Sequence, residues 1–220
     1  PLTVIPHSRG EDGYFMVLFR PPGAKQDLLP ESEPLDLIAI ADTSASMNRD
    51  ARREQRDFLD AVAGMLGDKD RLRILASDAE VCWVETTDEL ARRPSLGWTD
   101  LALAFETANE ARTDRSVIVY VGDGIDTTGD ADPVATAKRI EGRDLAVAVS
   151  TTYEKGVLEA IGTVYETRDD PAATAEALLR EIAQPALRDA RIAFDGVETA
   201  RVYPDPLPNL PAGKQQVILG

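Results

Sequence analysis

Three short, nearly continuous apolar runs, 35–41 (LDLIAIA), 117–121 (VIVYV) and 145–149 (LAVAV), constrain this chain more than any other feature. Runs of that length without polar alternation suit strands of a sheet covered on both faces. Helical patterns lie between them. Met47 to Leu66 places Ala51, Phe58, Leu59, Val62, Met65 and Leu66 on one face and charged residues on the other, the 3.6-residue period of an amphipathic helix. Leu101, Ala104, Phe105 and Ala108 repeat it. Two further helices are marked by their ends, one running from Asp132-Pro133 to Gly142 and one starting at Asp170-Pro171. The alternation predicts an α/β fold: a doubly wound, mostly parallel six-stranded sheet with helices on both faces and a working edge at the carboxyl ends of its strands.

One stretch breaks the alternation. Leu72 to Ala76 and Glu80 to Glu85 are strand-like and separated only by Ser77, Asp78 and Ala79. So short a hairpin forces antiparallel pairing, which puts Cys82 and Trp83 on an antiparallel edge strand. The flanks differ again: Gly13 to Arg20, Asp189 to Phe194 and Gln215 to Leu219 read as strands with no helix between them, a small β annex. Pro21, Pro22, Pro30 and Pro34 lead into the central part, and Pro204, Pro206, Pro208 and Pro211 punctuate the way out. The expected organisation is an N-terminal β flank and linker over 1–34, a central domain over 35–185, and a C-terminal β flank over 186–220 that pairs with the first.

Composition narrows the function classes. With 43% hydrophobic and 29% charged residues among 220, the chain is of ordinary globular make-up and buries roughly 70% of its unfolded surface. Its one cysteine, Cys82, excludes an internal disulfide framework and a cysteine-built zinc site. The formal charge of -15 repels phosphate backbones and anionic headgroups and attracts cations, so nucleic acid is not an expected partner. No apolar run is long enough to span a bilayer, and no membrane insertion is expected. Because it begins at Pro1 and stops at Gly220, the sequence is expected to be a piece of something longer, and it is expected to be monomeric as such.

The oxygen donors are grouped. The first apolar strand ends in Asp42-Thr43-Ser44-Ala45-Ser46 and runs straight into the long helix. Thr99 sits at the start of the Leu101 helix, and Asp123 follows the 117–121 strand. Taken singly, each has an ordinary role: Asp42, Ser44, Ser46 or Thr99 as a helix N-cap contributing about 1 kcal/mol, Asp123 as a turn residue before Gly124. Taken together they point elsewhere, since the strands ending at Asp42 and Asp123 can be neighbours at the switch point, where doubly wound sheets bind ligands. Two carboxylates and three hydroxyls, with no nitrogen or sulfur, suit Mg²⁺, or Mn²⁺ and Ca²⁺, and do not suit zinc or copper.

Asp42-x-Ser44-x-Ser46, the Gly97-Trp98-Thr99 turn and the Gly122-Asp123-Gly124 turn resemble the metal-ion-dependent adhesion site (MIDAS) of von Willebrand factor A (VWA) domains. The flanks, Gly13 to Leu18 and Val202 to Pro208, resemble inter-alpha-trypsin inhibitor heavy chains and their bacterial relatives, in which a VIT domain precedes the A domain. The resemblance implies that the flanking strands form a sandwich like the hybrid module beside integrin I-like domains. It also implies hydroxyl ligation by Ser44, Ser46 and Thr99, with Asp42 and Asp123 acting largely through metal-bound water. The Mg²⁺ would accept an Asp or Glu carboxylate from a partner protein, in an extracytoplasmic setting. A cation with mainly neutral first ligands stays electrophilic enough for such a bond. Three positions depart from the pattern without removing a ligand: Ala45 where Gly is usual, Trp98 where a second Gly is common, and Gly122 where Thr is frequent. Trp98 is either an exposed anchor for a partner or a buried plug of its loop. Asp100 and Asp126 are placed on the same rim, and the loop also carries Asp130 and Asp132.

Two rival readings remain. A Mg²⁺-dependent phosphoryl-transfer hydrolase would use Asp42, yet Ser44 stands where such an enzyme of the haloacid dehalogenase type wants a second aspartate. The sequence has no Gly-x-Ser-x-Gly elbow, P-loop or dinucleotide fingerprint, and its one histidine, His7, lies outside the central domain, so no enzymatic activity is expected. The other rival is a structural interaction scaffold with a vestigial metal site.

Overall fold

Leu37, Ala39 and Ala41 of the first apolar run point to one face of the sheet and Ile38 and Ile40 to the other, all at 2% exposure or less, which is why this strand shows no polar alternation. The computed structural model describes residues 2–9, 12–21, 34–113, 116–127, 132–139, 144–149, 152–167, 170–182, 186–187, 192–193, 201–203, 210–211 and 215–220. In chain order the elements are β1 (Leu2–Arg9), β2 (Asp12–Phe19), β3 (Asp36–Asp42), α1 (Arg49–Met65), β4 (Arg71–Ser77), β5 (Val81–Val84), α2 (Thr87–Arg92) and α3 (Leu101–Ala111). There follow β6 (Ser116–Gly122), α4 (Pro133–Arg139), β7 (Asp144–Ala148), α5 (Lys155–Ile161), β8 (Thr163–Glu166), α6 (Pro171–Ile182), β9 (Ala186–Leu187), β10 (Leu210–Pro211) and β11 (Gln216–Leu219). The chain divides into two units, Pro34–Ile182 and a second made of Pro1–Glu33 with Ala183–Gly220.

The larger unit is an α/β domain built on a six-stranded sheet of order β5-β4-β3-β6-β7-β8. Every pairing in it is parallel except β4 with β5, the hairpin edge. On one face the sheet packs Phe58, Leu59 and Val62 of α1 and Leu178 and Ile182 of α6. On the other it packs Leu101 and Phe105 of α3, Ala137 of α4 and Leu158 of α5. Each fully buried Leu, Ile or Phe contributes about 1.5–3 kcal/mol relative to exposure. Helix α1 begins at Arg49 rather than Met47, because the Asn48 side chain accepts hydrogen bonds from Asp50 N and Ala51 N and caps it.

In the smaller unit β2 is the middle strand of a three-stranded antiparallel sheet, paired on one side with β1 and on the other with β11. Val17 and Ile218, opposite each other in that register, are buried. A separate two-residue ladder joins β9 and β10. Of the strand expected over 189–194 only 192–193 are described, and neither lies in a strand.

Candidate metal centre

The chain winds outward from β3 through β4 to β5 and then returns to add β6, β7 and β8 on the opposite side, so the winding reverses between β3 and β6. Three loops follow at the carboxyl ends of these strands, the end at which doubly wound sheets bind ligands. The first loop follows β3. Thr43 N donates to Ser77 O at 2.8 Å, continuing the β3–β4 pairing by one residue. The chain then turns so that Ser44 N donates to Asp42 Oδ1 at 2.9 Å, while the Ser44 and Ser46 hydroxyls share a hydrogen bond at 2.8 Å. None of Asp42, Ser44 or Ser46 caps α1, a task that falls to Asn48. Thr99 does not cap α3 either, because Asp100 does so through Leu103 N. Helix capping is thereby removed as the explanation for four of the five oxygen donors. Asp123 keeps its turn role, with Oδ1 accepting from Ile125 N at 2.9 Å.

Hydrogen bonds tie the three loops into a ring. Ala45 N donates to Gly97 O at 2.6 Å, joining the first loop to the second, where Gly97 has φ +108. The second is joined to the third twice, by Thr99 N to Thr127 Oγ1 at 3.0 Å and by Thr127 N to Thr99 O at 3.2 Å. The third returns to the first through Tyr120, whose hydroxyl accepts from Gly124 N at 3.1 Å and donates to Asp42 Oδ2 at 2.7 Å. Glu154 N donates to Asp123 O at 2.8 Å, fixing the third loop to the start of α5. Beneath the ring, Gln55 Nε2 donates to the carbonyl oxygens of Asp42 (2.9 Å) and Val121 (2.8 Å), clamping β3 to β6.

A buried ion pair supports the first loop from the side. The Thr43 hydroxyl donates to Asp78 Oδ2 at 2.6 Å, and the Arg93 guanidinium meets Asp78 Oδ1 at 3.0 Å. Burial alone would raise the Asp78 pKa, but the bonds from Thr43, Arg93 and Glu80 N outweigh it and hold the carboxyl below the usual range. Arg52 adds bonds to the carbonyls of Thr43, Leu90 and Arg93.

Asp42, Ser44, Thr99 and Asp123 are buried to 2% exposure or less, whereas Ser46 is exposed, so the set opens to solvent on one side. Burial pushes the Asp42 carboxyl up to about 6 against the lowering hydrogen bonds from Ser44 and Tyr120, and the Asp123 charge pushes the same way as burial. Among the described residues neither Asp42 nor Asp123 forms an ion pair, and no group of three or more His, Cys, Asp or Glu could hold a metal. Two buried carboxylates without an ion-pair partner, beside neutral hydroxyls, fit a hard divalent cation, which would compensate both charges. Burial together with Asp42 and Asp123 keeps the Tyr120 hydroxyl protonated, its pKa well above the ordinary value.

On the rim, Trp98 is 58% exposed and is therefore not a buried plug. Asp100 is engaged as the α3 cap, and Asp126 Oδ1 accepts from Leu101 N at 3.4 Å. Asp132 Oδ1 accepts from Val134 N at the start of α4, and Asp130 lies outside the described residues. The Cys82 thiol accepts from Arg93 Nη1 at 3.1 Å beside the buried ion pair.

No family model and no curated protein sequence matches the chain. Solved structures do. Von Willebrand factor type A from Catenulispora acidiphila aligns with a TM-score of 0.63 at 15% identity, over 94% of this chain and 59% of its own. The ArnB paralog VWA2 of Sulfolobus acidocaldarius gives 0.59 at 13% identity, over 99% of this chain and 65% of its own. The fold is that of a von Willebrand factor A domain. A third VWA neighbour, proximal thread matrix protein 1 of the mussel byssus with a zinc-occupied MIDAS motif, gives 0.52 at 16% identity, over 70% of this chain and 49% of its own. The chain thus spans about half to two thirds of the length of these VWA-fold neighbours.

Tyr120 and Gln55 belong to this cluster and escaped the sequence reading. Both left a signal: a phenol inside an otherwise aliphatic run, and an amide at position 55 within the apolar stripe Ala51, Phe58, Leu59, Val62.

Proposed function

We propose that the chain is a cation-dependent protein-binding module. A divalent cation would be held by the hydroxyls of Ser44, Ser46 and Thr99, with Asp42 and Asp123 supplying charge, and would present an open position to an Asp or Glu carboxylate of a partner protein. Mg²⁺, Mn²⁺ and Ca²⁺ are the candidate ions on donor chemistry, and the zinc in the mussel protein's MIDAS widens that set. The observation that carries the reading is the closed ring of hydrogen bonds joining all three donor-bearing loops around two buried carboxylates that form no ion pair among the described residues. When bound, the ion supplies Lewis acidity toward an incoming carboxylate. The chain itself orients Asp42, keeps the donors dry on the protein side and leaves Ser46 and Trp98 facing the partner.

Catalysis forms no part of this reading. Ser44 stands where a phosphoryl-transfer hydrolase wants a second aspartate, and its hydroxyl supplies no general acid. The likeness of the flanks to inter-alpha-trypsin inhibitor heavy chains is retained as part of the proposal; of its second stretch, 204–208 lie outside the described residues. A thread matrix protein among the neighbours supports an extracytoplasmic setting. Among the described residues no helix is long and apolar enough to cross a membrane.

Thermal melting in EDTA and in millimolar Mg²⁺ or Mn²⁺ tests the site. Binding to the native state must raise the midpoint. The wild type gains stability with metal and Asp42→Ala and Thr99→Ala do not, if the reading holds. A wild type that does not respond makes the chain a scaffold with a vestigial centre.

A further inference from the structure

We propose that Tyr120 is a positioning residue of the cation centre, its hydroxyl setting the Asp42 carboxylate against the loop that carries Asp123. The inference rests on the cation reading above and concerns how this chain builds that centre.

The geometry is a relay through one oxygen. Gly124 N donates to the Tyr120 hydroxyl at 3.1 Å, and the hydroxyl donates to Asp42 Oδ2 at 2.7 Å. The other carboxylate oxygen is held by Ser44 N at 2.9 Å, so both oxygens of Asp42 are fixed by donors of this chain and the carboxylate cannot turn. Gly124 directly follows Asp123 and has φ +73, a conformation that favours glycine. One phenol therefore sets the position of one aspartate relative to the backbone carrying the other. Its ring is anchored by packing: Tyr120 is fully buried and lies 6.2 Å, centroid to centroid, from Phe105 of α3.

Gly122 makes room for this arrangement. A Cβ built there would fall far inside van der Waals contact with both Asp42 Cβ and the Tyr120 hydroxyl, and 2.7 Å from Tyr120 Cζ. The volume that a side chain at 122 would occupy is taken by the phenol of Tyr120, so the two positions form a pair: a hydroxyl reaching the carboxylate from residue 120 requires no side chain at residue 122.

The test is a titration with Mn²⁺ alone, by calorimetry and by EPR, of wild-type, Tyr120→Phe and Phe105→Leu proteins at a temperature where all three are folded. Tyr120→Phe keeps the ring and removes the relay, and it weakens Mn²⁺ binding by about tenfold, as expected for losing a hydrogen bond to a charged group. It also changes the zero-field splitting of the bound ion. Phe105→Leu disturbs the same packing without touching the hydroxyl, so it lowers the melting midpoint and leaves affinity within about twofold. If both variants lose affinity in step with their midpoints, the phenol acts by packing and the proposal is overturned. A Tyr120→Phe protein that binds like the wild type also overturns it while leaving the cation reading intact, and a wild type that binds no Mn²⁺ overturns both. A reading that needs no variant is the wild-type amide spectrum under Mg²⁺: Gly124 shifts together with Ser44, and a Gly124 amide unmoved at saturation sinks the relay.

Discussion

The Gln55 side-chain amide lies 2.9 Å from the carbonyl oxygen of Asp42, and its second bond, 2.8 Å to Val121 O, makes it a cross-link between the ends of β3 and β6. Carbonyls at the end of a parallel pair have no further strand residue to bond, and here an amide from α1 satisfies both.

Replacing Gln55 by Leu keeps the volume and leaves two buried carbonyls without that donor. The expected cost is about 2–3 kcal/mol in urea unfolding. A change below about 0.5 kcal/mol would mean the clamp is dispensable.

Asp78 and Arg93 give a pH prediction. The Asp78 carboxyl sits below its ordinary value in the folded state, because Thr43, Arg93 and Glu80 N outweigh burial. Its contribution to stability is therefore fully present above the ordinary carboxylate pKa and is lost as pH falls through the lower folded value. Asp78→Asn should cost about 3 kcal/mol at neutral pH, and the gap to the wild type should narrow steadily as urea midpoints are followed downward from about pH 6. A gap independent of pH would contradict the assignment.

Gly122→Ala places a methyl group against Asp42 and Tyr120. It should destabilise by about 1–3 kcal/mol, the usual range for overpacking, and abolish the cation-induced rise in melting midpoint.

Trp98→Ala should leave unfolding free energy within about 0.5 kcal/mol, because the indole is more than half exposed. If Trp98 anchors a partner, this variant loses partner binding while its cation response stays intact, a combination readable by melting and by calorimetry with the same sample.

The sheet was legible because strands buried on both faces drop polar alternation, as 35–41 and 117–121 do. What escaped was short or exposed. β8 reads Thr-Val-Tyr-Glu with no buried residue, α2 and α5 span six and seven residues, and β1 is exposed along its whole length. No period develops over such stretches. The oxygen donors could be picked out because each follows a strand or starts a helix. The roles of Tyr120 and Gln55 are not local: their partners lie 78 positions (Asp42 from Tyr120) and 66 positions (Val121 from Gln55) away, so only the fold reveals them. Asn48, two residues beyond Ser46, took the capping role that the sequence offered equally to three neighbours.

The two hydrogen bonds between Thr99 and Thr127 bear on how fast the centre can load. Loops already tied together when the chain folds have no assembly step left to perform when an ion arrives, so the ordering cost is absent from the binding event. The slow step then belongs to the ion, which must shed its own water. Mg²⁺ dehydrates reluctantly, so it should enter more slowly than Mn²⁺ in stopped-flow mixing, even where the two ions stabilise the domain equally.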